Sequence, residues 1–375
     1  MAPLIIGSLV VAPGTRIAPR PLLPRLAVGG PILTAAGLGV LTVLARRLGG
    51  LRGHPLGWDV HEEITITLIR TFMTLGDIGV WRAMFRNLAA PLPPALRAAP
   101  AGRPGSKSLW YELAPALRPA APRAALDILF IHGGAFMSGG CTQYQATYQW
   151  WLEELAARGI AGRILTVSYP LAPEHPYPEG RDTCVEEIAW FLEQCGDTPA
   201  VVGGDSAGGN LVLSALARLR DGGRLPAPPR ALLLVSPCVD MSGSSVFSQP
   251  RSEGGRYDYL PKEKLNEGIP HFYTHDLTCP YVSPTLLESL AGLADREALI
   301  INGGEEIMAP DIRSFAKKLS AAAAAPGCAL RVAHHEEPGR VHSWPMLPLP
   351  SLKARQGFLF EFFARAAGAG AAAAE

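Results

Sequence analysis

The sequence predicts an α/β fold with a mostly parallel central sheet covered by helices on both faces. Three observations carry this. Short, continuously apolar runs alternate with helical patterns after residue 109. A glycine-rich turn joins one of those runs directly to a helix. The chain is 48% hydrophobic and only 18% charged over 375 residues, enough apolar material for one large core or two ordinary ones.

The elements follow in order. Residues 1–53 form a hydrophobic N-terminal segment in which 26–45 carry no charge over roughly 20 residues, the length of one bilayer span. Arg16, Arg20 and Arg25 precede that stretch and Arg46, Arg47 and Arg52 follow it, so no orientation is set. Pro31, four glycines and an alanine-rich apolar content argue against a span. Two readings therefore stand, a membrane anchor and a hydrophobic helix packed on the domain. Pro3, Pro13 and the lack of a basic leading region argue against a cleaved signal peptide, and no N-x-[ST] acceptor occurs. The expected location is cytoplasmic or membrane-anchored, the endoplasmic reticulum included, rather than secreted.

Across 58–88, Ile64, Leu68, Phe72, Leu75 and Ile78 recur every three or four residues, which predicts an amphipathic helix or helix pair. Residues 89–108 are rich in Pro, Ala and Gly and read as a linker, so 54–108 form helices plus linker. Strands are expected at 126–131, 164–168, 200–202, 231–235, 298–301 and 329–333. Helices are expected at 144–157, 184–194, 211–219, about 315–325, and 352–366. These make a domain over 109–367, interrupted at 237–285 by a Ser/Gly/Tyr/Pro-rich insertion, with a flexible tail at 368–375.

Net charge is +1, from 34 basic and 33 acidic residues, so nothing favours a nucleic-acid partner. Six widely spaced cysteines without a CxxC pair exclude a zinc ribbon or redox dithiol and read as reduced core thiols. No metal or organic cofactor is implied.

Gly204-Asp205-Ser206-Ala207-Gly208 matches G-x-S-x-G. The pattern alone is weak, but it follows an apolar run and opens a helix, the setting in which a serine is presented on a tight turn. There Ser206 meets backbone N–H groups and the positive end of a helix dipole. His132-Gly133-Gly134-Ala135-Phe136 follows the 126–131 strand, and its N–H groups can face an oxyanion together with that of Ala207. His132 itself reads as a brace for the loop. A nucleophilic serine needs a base, and the base an orienting carboxylate. After the 298–301 strand come Glu305 and Glu306. After 329–333 come His334, His335 and, on a Pro/Gly-containing loop, His342. The loop before the last helix favours His342 as base. Glu306 is the preferred acid, Glu305 the alternative, and Asp311 reads as a helix brace.

On these residues the chain resembles the hormone-sensitive-lipase family of α/β-hydrolases, the fold-3 group. The matching pieces are 132–136, the Asp-Ser-Ala-Gly-Gly-Asn order over 205–210, Tyr-Pro-Leu-Ala-Pro-Glu-His-Pro over 169–176, Ser236-Pro237, 281–284 and Val341-His342. The resemblance covers about 109–364. It implies Ser206 as nucleophile, His342 as base, an acid in the 304–311 segment, an oxyanion hole from Gly133, Gly134 and Ala207, and a helical cap built from about 58–97 and 237–285. Asp205, Asn210, Glu174 and Asp182 fall at the family's supporting positions. Two departures stand out. Ala135 replaces a third glycine, and Glu306-Ile307 replaces the Asp-Pro of many bacterial members, a pattern nearer to fungal ones.

Trp110, Tyr111, Tyr257 and Phe272 are the expected substrate-binding aromatics, with Trp81, Phe85, Tyr259 and Tyr273 in or near the same segments. The implied activity is hydrolysis of a small hydrophobic carboxylic ester, a deacetylase or esterase acting on a lipid, sterol or secondary metabolite, by a monomer or homodimer. Acyl transfer, or amide or lactone hydrolysis, would use the same triad. A non-catalytic receptor is disfavoured, because receptors resembling this family lack the histidine that is retained here.

Overall fold

In a computed structural model the described residues are 22–49, 54–88, 91–242 and 255–369. Three helices come first, α1 (Leu22–Leu48), α2 (Val60–Leu75) and α3 (Ile78–Leu88). The predicted helix pair is α2 and α3. Asp59 caps α2 by accepting the Glu62 N–H at 2.8 Å, and Asp77 accepts the Val80 N–H at 3.0 Å at the start of α3. Gly76 lies between them because a Cβ there would come within 2.4 Å of the Phe72 carbonyl oxygen.

Helix α1 is continuous through Pro31. It packs along α2 with Ile32, Ala36 and Val43 buried, while Leu33, Leu38, Leu41 and Leu48 stay exposed. Its stretch Gly30–Leu48 is long and apolar enough to cross a membrane by length and composition.

The sheet has eight strands in the order β1-β2-β4-β3-β5-β6-β7-β8. They are β1 (Leu96–Pro100), β2 (Leu109–Leu113), β3 (Ala124–Ile131), β4 (Ile160–Val167), β5 (Ala200–Asp205), β6 (Ala231–Val235), β7 (Glu297–Gly303) and β8 (Arg331–Glu337). The first two pair antiparallel, β2 lies antiparallel to β4, and the other pairs are parallel. The 89–108 stretch is therefore not all linker, since it contains β1. That strand escaped the sequence reading because only Leu96 is buried, its other residues are exposed, and it ends in proline.

Helices α4 (Gln145–Ala157), α5 (Glu179–Cys195), α6 (Ala207–Asp221), α7 (Lys262–Gly268), α8 (Ala309–Ala323), α9 (Pro350–Lys353) and α10 (Gly357–Ala366) complete the chain. The single closing helix expected at 352–366 is thus two, parted at residues 354–356. Side chains of β3 alternate between two cores. Leu129 and Ile131 join α5, α6 and α8 on one face, and Ile128 and Phe130 join α4 and α10 on the other. Both faces are dry, which explains the unbroken apolar runs. Of the insertion expected at 237–285, residues 243–254 lie outside the described residues.

Candidate active site

Ser206 stands between β5 and α6 with φ 53° and ψ −121°, a strained conformation costing on the order of 1–3 kcal/mol. The turn is held by its neighbours. The Ser206 N–H donates to the Val235 carbonyl at 2.9 Å, and its own carbonyl accepts from the Cys238 N–H at 3.0 Å. The flanking residues must be small: a Cβ on Gly208 would sit 2.0 Å from the Ile131 carbonyl oxygen, and one on Gly204 2.6 Å from the Gly208 carbonyl carbon. The glycines therefore let the end of β3 press directly on the serine turn.

The His132–Phe136 loop follows β3. His132 is buried, stacks on Tyr169 and contacts the Gly133 carbonyl oxygen through Nδ1 at 2.8 Å. Burial pushes its pKa down to about 4, so it is a neutral brace. The Gly133 N–H donates to Asp205 Oδ1 at 2.8 Å. This corrects one expected oxyanion donor, because Gly133 is already committed. Gly134 (φ 127°) and Ala135 (φ 54°) turn the chain so that both line the cavity in front of Ser206, beside Ala207. Among the described hydrogen bonds, none uses the N–H of Gly134, Ala135 or Ala207.

Asp205 ties three segments together. Besides Gly133, it accepts the Tyr144 hydroxyl at 2.8 Å and the Ser343 hydroxyl at 3.3 Å. Burial pushes its pKa up to about 6, against the pull of those donors.

His342 follows β8 and lines the same cavity as Ser206. Its Nδ1 lies 3.2 Å from Glu306 Oε2, at the turn after β7. Both side chains are buried. Burial pushes Glu306 up to about 8, opposed by the Ser236 hydroxyl, and lowers the His342 pKa, opposed first by the charge of Asp258. Among the described hydrogen bonds, none joins the Ser206 hydroxyl to the imidazole; such contacts often tighten only when substrate is bound. Glu305 instead gives its N–H to the Arg340 carbonyl at 2.9 Å. His334 and His335 lie within β8, contacting Asn302 and Glu337. Asp311 sits in the first turn of α8.

The remaining supporting positions are structural in their contacts. Asn210 Nδ2 donates to the carbonyls of Cys238 at 2.7 Å and Val282 at 2.8 Å. Glu174 takes both ends of the Arg82 guanidinium, and Asp182 accepts from Arg181 Nε at 2.6 Å.

The cavity over Ser206 measures about 60 Å³. None of the four expected substrate-binding aromatics lines it. Tyr111 is buried in the core on the α4 side, where Gln145 donates to its hydroxyl at 3.1 Å. Trp110 packs on Phe191 beneath the Arg163 guanidinium, near the sheet edge. Tyr257 packs edge-on against Trp58 and His54, and Phe272 packs beside His271. The aromatic lining is instead Phe85, Phe136, Tyr144 and Tyr259, joined by Met73, Leu260, Leu265, Ile269 and Met308. The sequence grouped these aromatics by nearness along the chain, and nearness does not say which side chains face the serine.

Comparison with known proteins agrees with the fold. A family model described as the α/β-hydrolase fold matches residues 128–346. An esterase of Acinetobacter venetianus is 35% identical over 204 residues, covering 53% of this chain and 63% of that protein. The carboxylic ester hydrolase LipN of Mycobacterium tuberculosis is 32% identical over 225 residues, covering 56% of each. The matched region thus spans a little over half to about three fifths of these relatives' length. Among solved structures, a hormone-sensitive lipase from a metagenome library superposes with TM-score 0.64 at 21% identity, covering 80% of this chain and 97% of that one. An esterase/lipase from an uncultured bacterium gives TM-score 0.61 at 25% identity, covering 90% and 98%.

Proposed function

Because the chain belongs to the α/β-hydrolase family, in its hormone-sensitive-lipase branch, we propose that it is a serine carboxylic ester hydrolase acting on a small hydrophobic ester. The observation that carries the reading is one cavity shared by a strained Ser206 and the base of a buried His342–Glu306 pair. His342 takes the Ser206 proton as Oγ attacks the ester carbonyl, and Glu306 holds Nδ1–H so that the other ring nitrogen faces the serine. The oxyanion develops against the N–H groups of Gly134, Ala135 and Ala207, each worth on the order of 3 kcal/mol to the transition state. The alcohol leaves with the His342 proton, and water then resolves the acyl-enzyme by the same steps in reverse.

The small apolar cavity favours an acetyl or other short acyl group, bounded by Phe136, Met308 and Leu260. The test is hydrolysis of a p-nitrophenyl ester series, acetate through long acyl, by the wild type and by Ser206→Ala. Cleavage that falls off with chain length and vanishes in the variant is expected. A folded wild type that cleaves none of them, or a fully active Ser206→Ala, would overturn the reading. Adding a competing alcohol separates hydrolysis from acyl transfer by whether the alcohol or water captures the acyl group.

A further inference from the structure

Asp258 lies in the second cap segment, in a stretch that reads in sequence as irregular. It is 2% exposed, and among the described ion pairs none gives it a cationic partner. A buried carboxylate without such a partner is costly unless donors replace its water. The donors here are main-chain N–H groups. Asp258 Oδ2 accepts from Ile307 at 2.9 Å, and Oδ1 accepts from His342 at 3.2 Å and from the adjacent Tyr259 at 2.8 Å. Ile307 directly follows Glu306. One carboxylate therefore grips both the loop carrying the acid and the loop carrying the base.

The same segment closes the cavity. Tyr259 and Leu260 line it, and the Tyr259 ring meets the His342 imidazole edge-on at 5.8 Å. On the other side of the Asp258 turn, Gly255 rests against Ile307, where a Cβ would fall within 3.2 Å. The charge also has a direction. Asp258 is the leading electrostatic influence favouring a protonated His342, the form that arises as Ser206 gives up its proton.

We propose that Asp258 is a positioning residue of the Ser206 site, the clasp through which the seated cap segment holds the Glu306 and His342 loops in register. The inference rests on the ester-hydrolase reading. It makes the cap part of the catalytic geometry as well as a wall of the pocket. Unseating 255–260 withdraws the clasp and loosens the acid–base pair in the same movement, so an open cap is chemically idle.

The experiment compares Asp258→Asn and Asp258→Ala with Leu260→Ala, which alters only the pocket wall. Steady-state kinetics on a p-nitrophenyl short-chain ester are measured alongside thermal melting. Asp258→Ala is expected to lower kcat by about 10²-fold, the scale of a misplacement of about 1 Å, with KM changed less than about threefold. Asp258→Asn retains one acceptor oxygen but turns its amide toward the N–H groups that the other oxygen accepted, so it should fall between Ala and wild type. Leu260→Ala should move KM more than kcat. A folded Asp258→Asn with wild-type kcat, or a loss confined to KM, would overturn the proposal. If Asp258→Ala does not fold, the near-isosteric Asn variant decides alone.

A second readout needs no turnover. The ring N–H proton of His342 that faces Glu306, followed by NMR in protein with ¹⁵N-labelled histidine, should shift or broaden in both Asp258 variants and stay put in Leu260→Ala. An unchanged resonance in the Asp258 variants would overturn the clasp. A wild type that shows this resonance but cleaves no ester would overturn the ester-hydrolase reading instead.

Discussion

Arg340 and Glu62 form an ion pair in which both side chains are buried, at 4% and 3% exposure. The pair joins the start of α2 to the loop carrying His342, and the Trp58 indole N–H reinforces it by donating to the Gly339 carbonyl at 2.7 Å. Arg340→Met would leave the Glu62 carboxylate buried and unpaired, which costs about 3–5 kcal/mol. At roughly 2 °C per kcal/mol for a chain of this size, the melting temperature should fall by about 6–10 °C. The loss should depend on pH in a definite sense. Burial already raises the Glu62 pKa, and Arg340 is the chief influence opposing it, so removing Arg340 raises it further. With a folded pKa above the unfolded one, the variant loses stability as pH rises and regains it as Glu62 protonates. Urea denaturation near pH 5 and near pH 8 should show the larger deficit at pH 8. Glu62→Gln/Arg340→Met, which leaves no buried charge, should recover most of the loss. A deficit under about 1 kcal/mol at pH 8, or a double variant no better than the single one, would refute the reasoning.

Three further outcomes are expected. Glu306→Gln should fold normally yet lose on the order of 10³–10⁴-fold in kcat, because a neutral amide neither orients Nδ1–H nor stabilises the imidazolium; a loss under tenfold would remove Glu306 from the triad. Gly208→Ala should destabilise by about 3 kcal/mol or more in a melting experiment, since the added methyl meets the fixed Ile131 carbonyl at 2.0 Å, and a wild-type melting temperature would contradict that contact. Burial lowers the His342 pKa, so the neutral, base-competent ring persists to lower pH. The acid limb of kcat/KM should accordingly have its midpoint below the usual histidine value of about 6.5, and a midpoint above 7 would argue against that ring as the base.

The serine turn was legible because its constraints are local: an apolar strand, two glycines where no Cβ fits, and a helix beginning at the next residue. Chain order singled out His342 and Glu306, and 3.2 Å separates their side chains in the fold. The first oxyanion donor was misread because the decisive contact is not local. Asp205, 72 residues away, takes the Gly133 N–H and shifts the free donors one residue on, to Gly134 and Ala135. Trp110 and Tyr111 looked like pocket residues because aromatics near a cap invite that reading. Neighbours on a strand point to opposite faces, however, and on β2 neither face meets the serine. Asp258 gave no signal at all, because a carboxylate in a Tyr/Gly-rich stretch looks solvated until two distant N–H groups are placed against it.

The oxyanion donors proposed here belong to the main chain, whereas much of the pocket wall is side chain from α2, α3 and residues 259–269. That division separates what mutation can reach. A codon change at Met73, Phe85, Leu260 or Ile269 reshapes the cavity without deleting an N–H, and a change at 135 or 207 keeps its N–H unless the new residue is proline, whereas Gly134, where a Cβ would fall 2.2 Å from the Ser138 carbonyl oxygen, admits no side chain. Cap substitutions away from Asp258 can therefore reshape the cavity while the main-chain donors in front of Ser206 stay where the strand ends put them.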